Sequence, residues 1–127
     1  MRRLLLDTHV VLWALSAPTA LKPTIRRLLE DPRTTVTVSA ASVWEVEIKR
    51  ALGKLEAPSG FSSTCVDRGF DPLAITFDHA DLAGGLPQHH ADPFDRMLIA
   101  QAISEDLELV SQDRIFELYE VRLLAAN

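Results

Sequence analysis

Residues 90–102 read His-Ala-Asp-Pro-Phe-Asp-Arg-Met-Leu-Ile-Ala-Gln-Ala, a polar loop that passes into an apolar helix. Proline is favoured at the first position of a helix, so Pro93 predicts a helix start with Asp92 as its N-cap. Asp95 then falls in the first turn, with Arg96 directly after it. A helix start requires only one capping acid, and Asp95 is a second acid beyond that cap. This additional carboxylate makes the positions of the other acids of the chain relevant.

The chain has 127 residues, of which 47% are hydrophobic and 24% charged. These values are typical of one globular domain, which we place at residues 1–127. The formal net charge of −5 argues against indiscriminate nucleic-acid binding, since affinity for phosphate comes from Lys and Arg. No apolar run approaches the roughly 18–20 residues that span a bilayer, and no signal-peptide cleavage site is evident. With a single cysteine, Cys65, expected to be buried and inert, a cytoplasmic location without membrane attachment is expected.

Stretches typical of strands alternate with stretches typical of helices along the chain. Strands are predicted at 2–6, 35–38, 73–77, 107–111 and 119–124, and helices at 8–16, 23–30, 39–55, 78–83, 93–102 and 115–118. A weak amphipathic stretch surrounds Cys65, and Trp13 and Trp44 fall in helical apolar patterns that predict core positions. This alternation predicts an α/β sandwich with a parallel sheet.

Four acidic residues fall beside the ends of predicted strands or the starts of predicted helices. Asp7 follows the first strand, and Asp113 lies two residues past the fourth. Glu45 lies in the helix after the second strand, and Asp95 lies in the first turn of the helix before the fourth. Ligands of open parallel sheets bind outside the carboxyl ends of the strands, so these carboxylates are expected to converge there. Such hard oxygen ligands suit Mg²⁺ or Mn²⁺.

Each acid also has a purely structural interpretation. Asp7 and Asp113 are suited to cap the helices that follow them, and Asp95 gains from the helix macrodipole. Glu45 completes a capping-box pattern with Ser42 and precedes a lysine by one helical turn. Position along the chain leaves both interpretations open, and the common placement of the four acids at one edge is what favours a metal site.

The histidines carry a weaker signal. His89 and His90 are adjacent in a predicted loop, where a solvated pair is expected rather than a zinc site. His9 and His79 have no partners at the spacing of metal ligands. From the sequence, none of the four is therefore assigned to the acidic site.

Four short segments together resemble the motifs of PIN-domain nucleases. Leu-Leu-Leu-Asp-Thr-His at 4–9 is similar to the first motif, and Ser-Ala-Ala-Ser-Val-Trp-Glu at 39–45 to the second. The third and fourth resemble residues 92–102 and the segment Leu-Val-Ser-Gln-Asp at 109–113, in the same order. The length of the chain is similar to that of the single-domain VapC-like toxins of type II toxin–antitoxin pairs.

The resemblance implies a three-layer α/β/α sandwich around a central, mostly parallel sheet, with metal-dependent endoribonuclease activity. It assigns catalysis and the binding of Mg²⁺ or Mn²⁺ to Asp7, Glu45, Asp95 and Asp113. Further residues beside these acids are implied as substrate or supporting contacts: Thr8, Ser39, Asp92, Arg96 and Ser111. Asp92 fits either the site or a helix cap. Arg96 fits either a contact with a site carboxylate or phosphate, or a structural salt bridge.

The same resemblance implies three partners for the chain. They are an RNA substrate, a second copy in a homodimer, and a cognate VapB-like antitoxin whose C-terminal segment covers the acidic site. RNA requires a basic surface, for which the candidates are Lys49, Arg50, Lys54, Arg26 and Arg27.

Two other functional classes are compatible with acids clustered on an α/β domain. A receiver-like phospho-acceptor domain needs an acid pair near the first strand and a lysine after the last, but Asp7 stands alone and no lysine follows Lys54. A catalytically silent PIN-like module that binds RNA or protein stays open, because affinity for a metal cannot be read from a sequence.

Overall fold

The computed structural model describes residues 1–57 and 59–127, and five strands in this part of the chain form one sheet. The strands are β1 (Arg3–Leu6), β2 (Thr35–Ser39), β3 (Asp71–Leu73), β4 (Glu108–Ser111) and β5 (Leu123–Ala125). Their order is β3-β2-β1-β4-β5, and each neighbouring pair is parallel. The parallel α/β architecture predicted from the sequence is confirmed.

Helices cover both faces of this sheet. They are α1 (Thr8–Ser16), α2 (Pro23–Glu30), α3 (Ala40–Ala51), α4 (Phe61–Asp67), α5 (Phe77–Gly85) and α6 (Pro93–Glu105), with short 3-10 helices at Pro18–Ala20 and Arg114–Leu118. Side chains of a strand alternate between faces. Leu4 and Leu6 accordingly pack in one buried cluster with residues of α1 to α4, whereas Leu5 packs in a second with residues of α5 and α6. The three-layer α/β/α sandwich is confirmed.

Two strands differ in extent from the predictions. β3 ends at Leu73 instead of beginning there, because Thr76 caps α5: its hydroxyl accepts from the His79 N–H at 3.2 Å, and its own N–H donates to His79 Nδ1 at 3.1 Å. Most of the stretch predicted as a strand at 73–77 therefore leads into a helix. β5 is restricted to Leu123–Ala125 because the Val121 N–H donates to the Tyr119 carbonyl in a turn.

Helix α3 was predicted to reach residue 55 and to bury Trp44 in the core, and both expectations are wrong. The helix ends at Ala51, and Gly53 follows with a φ of +70°, a conformation that favours glycine. Trp44 is 61% exposed, and the buried face of the helix is formed by Ala41, Ser42, Glu45 and Val46. Glu45 points inward because Thr8 is its partner there, and this rotation of the helix carries Trp44 to the surface.

The strand order determines where a ligand site can form. From β1 the chain continues to β2 and β3 on one side, whereas β4 and β5 lie on the other side. The carboxyl ends of β1 and β4 therefore flank the point at which the strand order reverses, where open α/β sheets bind ligands. Asp7 directly follows β1, and Asp113 lies two residues beyond β4.

Two smaller expectations concern burial and membranes. Cys65 lies on α4 and is 4% exposed, as predicted, and its burial raises the pKa of the thiol. Within residues 1–57 and 59–127, every helix is too short or too polar to cross a membrane.

Candidate active site

A cavity of about 240 Å³ opens at the carboxyl edge of the sheet, between the starts of α1 and α6 and one side of α3. It is lined by Asp7, Thr8, His9, Glu45, Lys49, His90, Asp92, Asp95, Gln112 and Asp113. The four acids predicted to converge are all in this set. Their separation along the chain is large, and the parallel sheet is what brings them together.

Both oxygens of the Asp7 carboxylate accept hydrogen bonds. Its Oδ1 accepts from the Val10 N–H at 3.1 Å and so caps α1, while its Oδ2 accepts from the Ser111 hydroxyl. The side chain is buried, and this burial raises the pKa of Asp7 although the hydrogen bond from Ser111 lowers it. Asp7 therefore caps α1, as predicted, and lines the cavity at the same time.

Glu45 is fixed by one partner on each oxygen. The Thr8 hydroxyl donates to Oε1 at 2.7 Å and lies 2.9 Å from the Ser42 hydroxyl oxygen. Lys49 donates to Oε2 at 2.8 Å, and this bond raises the pKa of the lysine. The capping box considered for Ser42 and Glu45 is absent, because Ser39 caps α3 by accepting from the Ala41 N–H.

Asp95 has the most unusual electrostatic environment of the site. Burial, together with the neighbouring charges of Asp92 and Asp7, raises its pKa to about 6 against the lowering effect of a hydrogen bond with His90. That bond joins His90 Nε2 to Asp95 Oδ2 at 2.7 Å. A cation bound beside this carboxylate would therefore stabilise its ionised form near neutral pH.

Asp113 completes the group from the end of β4. Its N–H donates to the Ser111 hydroxyl oxygen at 3.0 Å, and its Oδ1 caps the last 3-10 helix by accepting from the Ile115 N–H. One ligand atom each from His90, Asp95 and Asp113 lies within 4.8 Å of the other two. Oxygen-rich donors this close together, with an uncompensated carboxylate among them, fit a hard divalent cation.

Four of the five supporting residues expected from the sequence have clear structural positions. Asp92 caps α6, its Oδ1 accepting from the N–H groups of Phe94 at 2.8 Å and Asp95 at 3.2 Å, and it also lines the cavity. Ser39 is fully buried as the cap of α3 and does not line the cavity. Thr8 and Ser111, in contrast, hydrogen-bond directly to site acids.

Among the described residues Arg96 forms no ion pair, neither with a site carboxylate nor elsewhere, so both ion pairs considered from the sequence are absent, and its contact with a phosphate stays a prediction. Its guanidinium is buried and donates to the backbone carbonyls of Ala83, Leu86, Pro87 and His90 at 2.9–3.3 Å. Arg96 therefore ties the end of α5 to the loop between α5 and α6, because both terminal nitrogens of its guanidinium donate to backbone carbonyls there.

That loop carries a residue that sequence reasoning missed. His90 was expected to be solvated, but its ring lies in the cavity against Asp95. Its backbone N–H donates to the Tyr119 hydroxyl at 2.9 Å. The Tyr119 hydroxyl donates in turn to the Pro87 carbonyl. Only the spacing of five residues from Asp95 was visible in the sequence, and it does not indicate that the loop folds back.

The basic candidates are mostly placed away from the cavity. Lys49 lines it, whereas Arg50, Lys54, Arg26 and Arg27 do not. His9 and Gln112 line it without having been assigned to it. The mouth of the cavity is therefore acidic, with one lysine already paired to an acid.

Comparisons with known proteins agree with this arrangement. The family model described as PIN domain matches residues 4–121. Ribonuclease VapC16 of Mycobacterium tuberculosis (strain ATCC 25618 / H37Rv) is 40% identical over 62 residues, which are 46% of this chain and 43% of that protein. The alignment thus covers less than half of the curated relative.

Solved structures share the fold. A VapBC2 complex from Rickettsia felis bound to a promoter DNA fragment contains a chain with a TM-score of 0.73 at 15% identity, covering 98% of this chain and 99% of that one. A DNA-bound VapBC from Salmonella typhimurium gives 0.69 at 21% identity, with 98% of both chains covered. Since the family model matches most of the sequence and these structures match its architecture, the chain belongs to the PIN domain family.

Proposed function

We propose that the chain is a metal-dependent endoribonuclease that hydrolyses RNA phosphodiester bonds and acts as the toxin of a VapBC-type pair. The observation that carries this proposal is Asp95. Its carboxylate lies in a cavity with four further acids, and its pKa is raised to about 6 by burial and, to a smaller extent, by the neighbouring charges of Asp92 and Asp7. A bound divalent cation would supply the positive charge that this cavity lacks. The phosphodiester of RNA would be the substrate that binds to the cation.

The residues proposed to hold Mg²⁺ or Mn²⁺ are Asp7, Asp95 and Asp113, with Glu45 as a ligand or as the group that orients water. When bound, such an ion lowers the pKa of a water molecule and stabilises the negative charge that develops on the phosphate and the leaving oxygen. The protein contributes a rigid donor set, since each of these acids is held by hydrogen bonds from its surroundings.

The supporting hydrogen bonds orient the acids before substrate arrives. Ser111 joins Asp7 to the backbone of Asp113, and Thr8 directs one oxygen of Glu45. His90 holds a proton between its Nε2 and Asp95 Oδ2, which fixes the rotation of that carboxylate. Preorganised groups of this kind lose little reorganisation energy when charge develops on the substrate.

The same acidic cavity supports an antitoxin partner. The solved structures of Rickettsia felis and Salmonella typhimurium that share the fold are VapBC complexes. For this chain we propose a homodimer in the cytoplasm and a VapB-like antitoxin, whose basic side chain would enter a cavity lined by five acids and neutralise it. Solution mass and co-purification with the product of the adjacent gene test these two assignments.

The activity is tested with purified protein and a mixed-sequence single-stranded RNA. We expect cleavage in Mg²⁺ or Mn²⁺, no cleavage in excess chelator, and products with 5′-phosphate and 3′-hydroxyl ends. Cleavage that continues undiminished in chelator would contradict the metal-dependent mechanism. A protein that binds Mn²⁺ in calorimetry but leaves RNA intact would instead support the catalytically silent binding module.

A further inference from the structure

Lys49 is the one lysine or arginine among the described residues that line the acidic cavity. It shares the cavity with five acids: Asp7, Glu45, Asp92, Asp95 and Asp113. These carboxylates outnumber the ammonium, so their field opposes the entry of a phosphodiester, which is itself an anion. Each positive charge in the cavity is therefore important for binding such a substrate, and Lys49 provides one in addition to any bound cation.

The ammonium of Lys49 is held in place and still has donors available. Its Nζ donates to Glu45 Oε2 at 2.8 Å, one turn earlier on α3. The Glu45 side chain is 6% exposed and the Lys49 side chain 41%, so the pair extends from the buried wall of the cavity towards solvent. An ammonium has three N–H groups, and no second hydrogen bond joins this one to a described residue. Two donors therefore remain for a ligand.

The charge of Lys49 also acts across the cavity, on the side formed by α6. The hydrogen bond to Glu45 raises the pKa of Lys49, and the charges of Asp92 and Asp95 raise it as well. The ammonium thus lies within electrostatic reach of the acids at the start of α6 as well as of its partner on α3. A phosphate group bound beside Asp95 would have this ammonium as a neighbour.

The cavity has the size of a phosphate site rather than of a nucleotide pocket. Its volume is about 240 Å³, whereas pockets that enclose drug-sized ligands have roughly 300–1,000 Å³. A phosphate that reaches the proposed metal ligands therefore reaches Lys49 too, while the flanking sugars and bases remain outside. His9 also lines the cavity and offers a ring N–H, but Lys49 carries a full positive charge, and lysine binds phosphate as a point charge with rotatable donors.

We infer that Lys49 donates a hydrogen bond to a non-bridging oxygen of the scissile phosphate and thereby offsets part of the negative charge that develops there. This inference rests on the proposed nuclease function. Hydrogen bonds that involve charged partners are about twice as strong as neutral ones, and one that strengthens as charge develops favours the transition state over the bound substrate. Lys49 is then a catalytic residue that contacts the substrate, and Glu45 holds its ammonium in position.

Activity is measured first, at saturating Mn²⁺ on a mixed-sequence single-stranded RNA. Lys49→Met keeps an apolar stem and removes the ammonium, so kcat/KM should fall about ten- to a hundredfold, the effect of one hydrogen bond to a charged group. Lys49→Arg keeps the charge and should stay within about fivefold of the wild type. Lys22→Met serves as the matched control, because Lys22 is exposed and does not line the cavity. A loss in Lys49→Arg as large as in Lys49→Met would contradict a role based on charge.

The contact with the phosphate is tested by binding, without turnover. The cut site is mapped with the wild-type protein, and the downstream product is synthesised with and without its 5′-phosphate, which is the former scissile group. In Mn²⁺ the wild-type protein should bind the phosphorylated form more tightly in fluorescence anisotropy. Lys49→Met should lose about ten- to a hundredfold in affinity for that form and keep its affinity for the 5′-hydroxyl form. Lys22→Met should change neither.

A third measurement separates this role from a purely structural one. If Lys49 only oriented Glu45 as a metal ligand, Lys49→Met would weaken Mn²⁺ binding in calorimetry in proportion to its loss of kcat/KM. We expect a Mn²⁺ affinity equal to or higher than that of the wild type, because an ammonium repels a nearby cation. Cooperative thermal unfolding shows whether Lys49→Met folds, and Lys49→Gln takes its place if it does not.

Four results overturn the inference. Unchanged kcat/KM in Lys49→Met would remove the role altogether, and a retained preference for the 5′-phosphate would place the contact elsewhere. Equal weakening of both product forms would make Lys49 a general contact of the RNA chain. A matching loss of Mn²⁺ affinity would make its role structural. A wild-type protein that cuts no RNA would instead overturn the proposed function, and this result is recognised before any variant is made.

Discussion

Helix α6 carries a histidine–carboxylate pair at each of its ends, and the two pairs have different surroundings. At its start Asp95 Oδ2 lies 2.7 Å from His90 Nε2, and at its last residue Glu105 Oε2 lies 2.9 Å from His79 Nε2. The bond lengths are nearly the same. Because the two contacts are alike, a difference in behaviour between the two pairs comes from the residues around them.

The His79 pair is fully supported by its neighbours. His79 is buried, and its Nδ1 accepts from the Thr76 N–H, which leaves the proton on Nε2 to donate to Glu105. The Gln101 amide nitrogen lies 3.3 Å from the same Nδ1. Glu105 is 40% exposed, so water solvates its charge. This pair joins α5 to α6 and has no unmet requirement that a ligand would satisfy.

The His90 pair has the opposite balance. Asp95 is 21% exposed, and its neighbours Asp92 and Asp7 are also acids, so the one hydrogen bond from His90 does not offset the burial and repulsion that raise its pKa to about 6. The difference teaches that a functional site is marked by charge left without compensation rather than by the presence of a pair. The predictions below test that distinction.

The largest expected effect is on catalysis. Asp95→Asn keeps the size of the side chain and removes its charge, and kcat/KM for RNA cleavage should fall about a thousandfold because a ligand and its electrostatic contribution are lost. Glu105→Gln makes the same chemical change at the other pair and should leave kcat/KM within about twofold. The cleavage rates of the two variants, measured on the same RNA, test this expectation. Equal losses in both variants would erase the distinction between the pairs.

The next effect is on the response to metal. At a Mn²⁺ concentration about 100 times the dissociation constant, binding to the folded state alone stabilises it by about 2.7 kcal/mol, which raises Tm by about 10 °C. Asp95→Asn should lose most of this shift, and Glu105→Gln should keep it. Differential scanning calorimetry with Mn²⁺ and with chelator measures both. A full Mn²⁺ shift in Asp95→Asn would exclude that residue as a ligand.

The parts of the site that could be predicted from the sequence are those fixed by local structure. Asp7 and Asp113 directly follow buried strands, and a parallel sheet necessarily brings the ends of such strands to one edge. Asp92 was readable as a cap because Pro93 marks the first helical position. In each case the local sequence indicates the end of the strand or helix at which the side chain lies.

The parts that could not be predicted depend on contacts between distant residues. His90 reaches Asp95 because Arg96 binds four carbonyls in the last turn of α5 and the loop after it, and because Tyr119 holds the backbone N–H of His90. Trp44 is exposed because the partner of Glu45 lies on another helix, at Thr8, and sets the rotation of α3. Hydrophobic periodicity contains no information about such polar partners, so it predicts a buried tryptophan where the fold requires a buried acid.

A smaller effect concerns the stability of the metal-free protein. The pKa of Asp95 is raised from 3.8 to about 6, so the folded state loses stability as the pH rises through that range and the carboxylate ionises. In chelator, Asp95→Asn should therefore increase the free energy of unfolding by about 3 kcal/mol at pH 7.5, and the gain should vanish below pH 4. Urea unfolding at both pH values measures it. Glu105→Gln should show no comparable gain, and a gain in Asp95→Asn that is independent of pH would contradict the electrostatic explanation.

The smallest effect separates the two histidines. His79→Leu removes the acceptor of the Thr76 N–H inside a buried cap and should cost about 1–2 kcal/mol of stability, with kcat/KM per folded molecule unchanged. His90→Leu releases the Asp95 carboxylate without opening the core, so stability should change by less than about 0.5 kcal/mol while kcat/KM falls about tenfold. Chemical unfolding and cleavage rates on the same preparations give both quantities. If His90→Leu instead lost stability and kept its rate, the contact with Asp95 would be structural, and the two ends of α6 would play the same role.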